Sequence, residues 1–62
     1  MKLTITIDMD NAAFEGVPGK EAARIIRSRL RNIETIDDND IGTVFPMMDI
    51  NGNRVGQAEV TR

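Results

Sequence analysis

Lys20, Arg24, Arg27 and Arg31 recur at i, i+4, i+7 and i+11, the spacing that stacks side chains along one face of a helix. Four of the five cations between Lys20 and Arg31 are arginine, whose planar fork suits carboxylates and phosphates better than a lysine point charge does. The stripe is therefore suited to gripping an acidic protein surface or a phosphate backbone. Two plainer fates compete with that use. One is a solvated helix face; the other is neutralisation by Glu34, Asp37 and Asp38 folding back, worth little per exposed pair.

The second cluster has the opposite sign. Glu34, Asp37, Asp38 and Asp40 put four carboxylates into seven residues. On a small scaffold such a run imitates a phosphate track and can occupy a nucleic-acid-binding groove on another protein; a solvated loop is the plain alternative. Lys20 to Arg31 holds five cations and one anion, a local +4, so against a net charge of −2 the rest of the chain carries −6. That total opposes nucleic-acid binding through the overall field, although the helix alone could still bind. No aromatic residue is interleaved among the cations for base stacking.

Catalysis has little to work with. The chain has no His, Cys, Tyr or Trp, so the usual general base near neutral pH and the activated thiol are both missing. Ser28 lies between arginines with no base partner. Asp49, Asn51 and Asn53 offer oxygens at alternate positions, as a calcium loop does, but Arg54 stands where that loop needs glycine and Val60 where it needs glutamate. The expectation is a non-enzymatic protein with no cofactor and no metal.

These groups must be held by a few elements. Met1 to Met9 alternates, with Leu3, Ile5, Ile7 and Met9 on one side and Lys2, Thr4, Thr6 and Asp8 on the other, as in a half-buried strand. Asn11 to Phe14 suits a short helical turn, with Phe14 plugging the core. Pro18 suits the first turn of a helix running to Ile33 or Glu34. On its wheel Ala22, Ala23, Ile26, Leu30 and Ile33 make the apolar stripe, and Arg29 lies on the opposite rim from the cations. Val44 to Ile50 reads as a second strand, placed at an edge by Pro46. Asn51-Gly52 predicts a type I′ hairpin turn. Arg54 to Val60 reads as a third strand with a bulge at Gly56, which lets Val55, Ala58 and Val60 share a face.

The order is then β-α-β-β, an α+β fold with one helix packed on a three-stranded sheet of order 1-3-2. The second strand is apolar on both faces, so one set among Phe45, Met47 and Met48 is a candidate oligomer interface, Met-rich surface being adaptable. The 62 residues make one domain, 1–62, that buries only about 60% of its unfolded surface and has no cysteine to staple it. No apolar run is long enough to span a membrane. With no signal-peptide block, a soluble, intracellular protein is expected.

Three segments carry a resemblance: Asp10-Asn11-Ala12-Ala13-Phe14-Glu15, Glu21-Ala22-Ala23-Arg24-Ile25-Ile26-Arg27, and Asp49-Ile50-Asn51-Gly52-Asn53-Arg54-Val55-Gly56. In this order and at this length they resemble a group of small uncharacterised proteins encoded by bacteriophages and prophages. The region Ile36 to Met47 departs from that group in being longer and more acidic. Anti-CRISPR proteins are similar in size and charge character. The resemblance implies a protein in the cytoplasm of a bacterial host that binds and inhibits a host protein, with a CRISPR or other defence complex among its targets. It implies no catalytic residue. Lys20, Arg24, Arg27, Arg31, Glu34, Asp37, Asp38 and Asp40 are the partner-binding candidates. A nucleic-acid module built on the arginine face, and a self-assembling protein or homodimer, are the alternatives.

Overall fold

The computed structural model describes all 62 residues, Met1–Arg62. Strand β1 (Lys2–Ile7) leads to a 3-10 turn at Ala12–Phe14, then helices α1 (Pro18–Ser28) and α2 (Leu30–Glu34). A second 3-10 turn, Asp38–Asp40, precedes strands β2 (Val44–Met48) and β3 (Arg54–Thr61). The sheet order is β1-β3-β2, both pairings are antiparallel, and so the outer strands run parallel to each other. The expected α+β architecture and strand order are what the chain adopts.

The register sorts the side chains. Leu3 lies opposite Val60, Ile5 opposite Ala58, and Ile7 opposite Gly56; Phe45 and Met47 face Ala58 and Gly56 from the other side. Residues directly opposite share a face, so this is the apolar side of the sheet. Phe14, Ile25, Met47 and Ala58 form its buried centre, with Ile7, Ala13, Ala22, Phe45 and Val55 packed around them. Phe14 plugs the core beneath α1 as expected. The register of β2 against β3 skips Val55, because Met47 pairs with Gly56 and Met48 with Arg54. That extra residue is the expected bulge, and it turns Val55 onto the core side.

Three details differ from the sequence expectation. First, the long helix breaks at Arg29. The Ser28 hydroxyl donates to the Ile25 carbonyl at 2.6 Å, and the Arg29 N–H turns to the Ile26 carbonyl three residues back. The second segment ends at Glu34, where the Thr35 hydroxyl takes the carbonyls of Arg31 and Asn32. Second, the buried face of α1 is centred on Ile25, with Glu21 buried and Ala22 and Arg29 half-buried. Ala23 and Ile26 are only half-buried, and Leu30 is 50% exposed. The expected stripe is therefore rotated by roughly one residue, about 100°. Third, Asn51 does not take positive φ; Gly52 alone does, at 83°. The Gly52 N–H donates to the Asp49 carbonyl and the Asp49 N–H to the Asn53 carbonyl. The hairpin is the three-residue kind closed by a left-handed glycine, not the two-residue type I′.

Of the oligomer-interface candidates, Phe45 and Met47 lie on the core side of the sheet. Met47 is fully buried and Phe45 packs on the core, because the register turns both toward α1. Met48 and Val44 lie on the other face, each partly exposed.

Candidate functional site: charges spent inside and charges left outside

Two carboxylates are buried, and they decide which charges remain for a partner. Glu21 is held in the first turn of α1. Its Oε1 accepts from Arg24 Nε at 2.7 Å, and its Oε2 accepts from Arg24 Nη2 at 3.1 Å and from the Ile50 N–H at 2.9 Å. Asp49 opens the hairpin loop. It accepts from the N–H groups of Asn51 and Asn53 at 2.9 and 2.8 Å, from Asn53 Nδ2 at 3.2 Å and from Asn11 Nδ2 at 2.7 Å. Asn11 in turn caps the 3-10 turn by accepting from the Ala13 N–H. The two acids thus bolt the first turn of α1 and the Phe14 turn to the β2–β3 loop. No buried polar side-chain atom lacks a partner.

The carboxyl of Glu21 titrates below its ordinary value, chiefly because Arg24 donates to it; burial opposes this, and the Ile50 N–H supports it. For Asp49, burial pushes the value up most strongly, but the donors from Asn53, Asn11 and Asn51 together outweigh it and hold the carboxyl below the usual range. Arg24 is shifted upward by the same contact with Glu21.

This lock has a pH signature. Both carboxyls bind protons less readily when folded than when unfolded. Their stabilisation is therefore complete above the unfolded carboxylate range, near pH 4, and is lost as pH falls through the lowered folded values. Thermal unfolding should show a midpoint that holds from neutral pH to about 5 and drops below about 4. Asp49→Asn removes one of the two groups and turns an amide toward the Asn11 and Asn53 donors. It should unfold more easily at neutral pH, and the gap from the parent should narrow in acid. An unchanged gap at every pH would mean that Asp49 is not ionised in the fold.

The cationic stripe is altered by this lock. Arg24 is not a free partner-binding cation: it makes the single ion pair of the protein, with Glu21, and reaches the Met48 carbonyl at 3.4 Å. Arg29 is also turned inward, donating from Nε to the Pro46 carbonyl at 2.8 Å. Lys20, Arg27 and Arg31 have no ion-pair partner; Lys20 and Arg31 are exposed, as is Arg27. They lie on two helix segments with a break between them, so the continuous four-residue stripe expected of the sequence is not formed.

The acidic run is also partly committed. Asp37 caps the 3-10 turn by accepting from the Asn39 N–H, while the Asp40 carboxylate accepts from the Asp37 N–H, both at 2.9 Å. This reciprocal capping box orders the loop. Glu34 and Asp38 are exposed, and neither has a cation within ion-pair distance. The acids do not fold back onto the arginines. Elsewhere, a shallow depression of about 340 Å³ is lined by Asp8, Asp10, Asn11, Arg54 and Val55. Asp10 there is shifted upward by its neighbour Asp8.

The sequence gives no sign that Asp49 and Glu21 are structural acids; Asp49 stands out in it only as a loop oxygen. The Asn11 and Asn53 amides give no local signal that they converge on it, since Asn11 is 38 residues away. No family model, no curated protein and no solved structure matches this chain. No helix is long and apolar enough to cross a membrane.

Proposed function

We propose that this chain is a non-enzymatic binding protein of phage type that associates with a bacterial host protein and inhibits it, in the host cytoplasm. A CRISPR or other defence complex is the target class. The observation that supports this reading is that the acidic run is ordered yet unneutralised. A capping box fixes the Asp37–Asp40 loop while Glu34 and Asp38 face solvent without a cation. A pre-ordered acidic loop loses little entropy on docking and suits a basic groove, such as one built to hold nucleic acid.

The second reading, a nucleic-acid module on the helix, rests on Lys20, Arg27 and Arg31. It is weaker, because Arg24 and Arg29 are engaged inside the protein and such binding weakens as fewer phosphates are neutralised.

The test is capture of bacterial lysate proteins on three immobilised chains: the parent, Glu34→Lys/Asp38→Lys, and Arg27→Glu/Arg31→Glu. These four side chains are exposed, so the fold should survive; Arg24 and Asp37 are left alone because they hold structure. A captured protein that is lost with the acidic reversal and kept with the cationic one is expected. Capture insensitive to the acidic reversal, or no saturable capture, overturns the acidic-loop reading. DNA or RNA retention that falls steeply with salt and disappears with the cationic reversal would favour the helix instead.

A further inference from the structure

The two edges of the sheet are finished very differently. The β2 edge is closed. Val60 N–H donates to the Thr43 carbonyl across the β2–β3 ladder, so alternation turns the backbone groups of Val44, Pro46 and Met48 outward. Pro46 has no N–H to offer, its carbonyl is taken by Arg29, and the Met48 carbonyl is approached by Arg24. Proline and covering side chains are common ways of blunting an edge.

The β1 edge has none of these devices. Asp8 N–H donates to the Val55 carbonyl at 2.7 Å, so in the continuous β1–β3 register the paired residues are Lys2, Thr4, Thr6 and Asp8. The N–H and C=O groups of Leu3, Ile5 and Ile7 point away from the sheet. The apolar face beside them is also thinly covered. The helix packs against β2 and the Phe14 turn, leaving Leu3 39% and Ile5 38% exposed, with Met1 and Met9 more so.

We propose that β1 pairs antiparallel with β1 of a second copy of this chain, making a two-fold dimer with a continuous six-stranded sheet. The register is the argument for a second copy over another partner. Two strands whose free groups lie on odd residues can pair only where the residue numbers sum to an even value. Centring the axis on Ile5 puts Ile5 against Ile5, Leu3 against Ile7, Thr4 against Thr6 and Met1 against Met9, like beside like throughout. It also puts Lys2 against Asp8 twice. Shifting by one pairing either way sets Lys2 opposite Thr6, or strands Thr4 against Asp8. The segment is thus complementary to itself in hydrogen bonding, apolar surface and charge, as an isologous interface requires. This interface replaces the one expected of Phe45, Met47 and Met48, and it leaves the acidic loop and the exposed helix cations out of the contact.

Sedimentation or light scattering from micromolar to millimolar protein tests the dimer, using the parent, Lys2→Asp, Asp8→Lys and the double swap Lys2→Asp/Asp8→Lys. Each single change turns two attractions into two repulsions and should weaken dimerisation about tenfold; the double swap should restore it. Amide exchange supplies an independent measurement on the parent. Leu3, Ile5 and Ile7 should be protected at high concentration and exchange freely on dilution, whereas Thr4 and Thr6 stay protected throughout. A parent that is monomeric over the whole range overturns the proposal. So does a dimer indifferent to both single changes, or one in which the Leu3, Ile5 and Ile7 amides exchange freely.

Discussion

Gly56→Ala should detach β1 from the sheet. A Cβ on Gly56 falls 1.8 Å from the Thr6 carbonyl oxygen and 2.9 Å from the Ile7 Cα, both backbone atoms that no rotamer change can move. Relief requires the two strands to separate by more than an ångström just where the bulge already bends β3. Overpacking costs typically about 1–3 kcal/mol, and a backbone obstacle belongs at or above the top of that range. The stiffer unfolded chain of the alanine variant returns only about 0.4–1 kcal/mol. A domain of 62 residues has a total stability of about 3–9 kcal/mol, so the loss is a large share of the whole. Because β1 pairs in the sheet with β3 alone, the damage should be local first. Thr4 and Thr6 amides should lose exchange protection while those of α1 and β2 keep part of theirs, and the thermal midpoint should fall by at least 10 °C, about 4–8 °C per kcal/mol. A variant with parental protection in β1 would show that the strands are not as close as described. The same change should abolish dimerisation through β1, since a detached strand presents no ordered edge.

How far the chain could be read in advance follows from which forces act locally. The period-two run in β1, the proline that confines β2 to an edge and the glycine that marks the bulge are all local signals, and each appears in the fold where it was expected. The Phe14 turn is announced by Asn11, whose side chain caps it from the preceding position. The helical wheel points to the wrong face because Ile25 and Ile26 are adjacent, and periodicity alone cannot say which lies at the centre of the stripe. Long-range hydrogen bonds decide it. Ile50 N–H draws Glu21 inward from 29 residues away, and the Pro46 carbonyl draws Arg29 inward from 17. Two charged residues thus flank the buried isoleucine, an arrangement that apolar periodicity assigns to the surface. The candidate binding charges divide for the same reason. Arg24 and Asp37 have the same charges as Arg27 and Asp38, but their partners make them structural. The open edge of β1 is visible only once the sheet order places that strand outermost.

The rotated helix face makes its own prediction, and the effect should be large. Ile25 is fully buried among Phe14, Met47 and Ala58, and only five apolar side chains in the protein are buried. Truncating it to alanine removes the methyl and methylene groups at the middle of that cluster. The small Ala58 beneath has no side chain that can move into the space. Such truncations cost about 2–5 kcal/mol, the higher values where the site cannot collapse. Against a total of about 3–9 kcal/mol, Ile25→Ala should remove a large share of the stability, and from a parent near the low end of that range it should leave much of the population unfolded at room temperature. Ile25→Val, which opens a smaller gap, should cost about 0.5–1.5 kcal/mol and lower the midpoint by roughly 2–12 °C. The neighbours separate this geometry from the stripe read off the helical wheel. Leu30 is half exposed, so Leu30→Ala should change stability by no more than about 0.5 kcal/mol, and Ile26→Ala should fall between the two. Thermal or urea unfolding of the four variants gives the ranking directly. If Leu30→Ala or Ile26→Ala costs more than Ile25→Ala, the two helical segments present a different face to the sheet. Glu21 and Arg29 would then no longer be turned inward, and the division between structural and free charges would have to be redrawn.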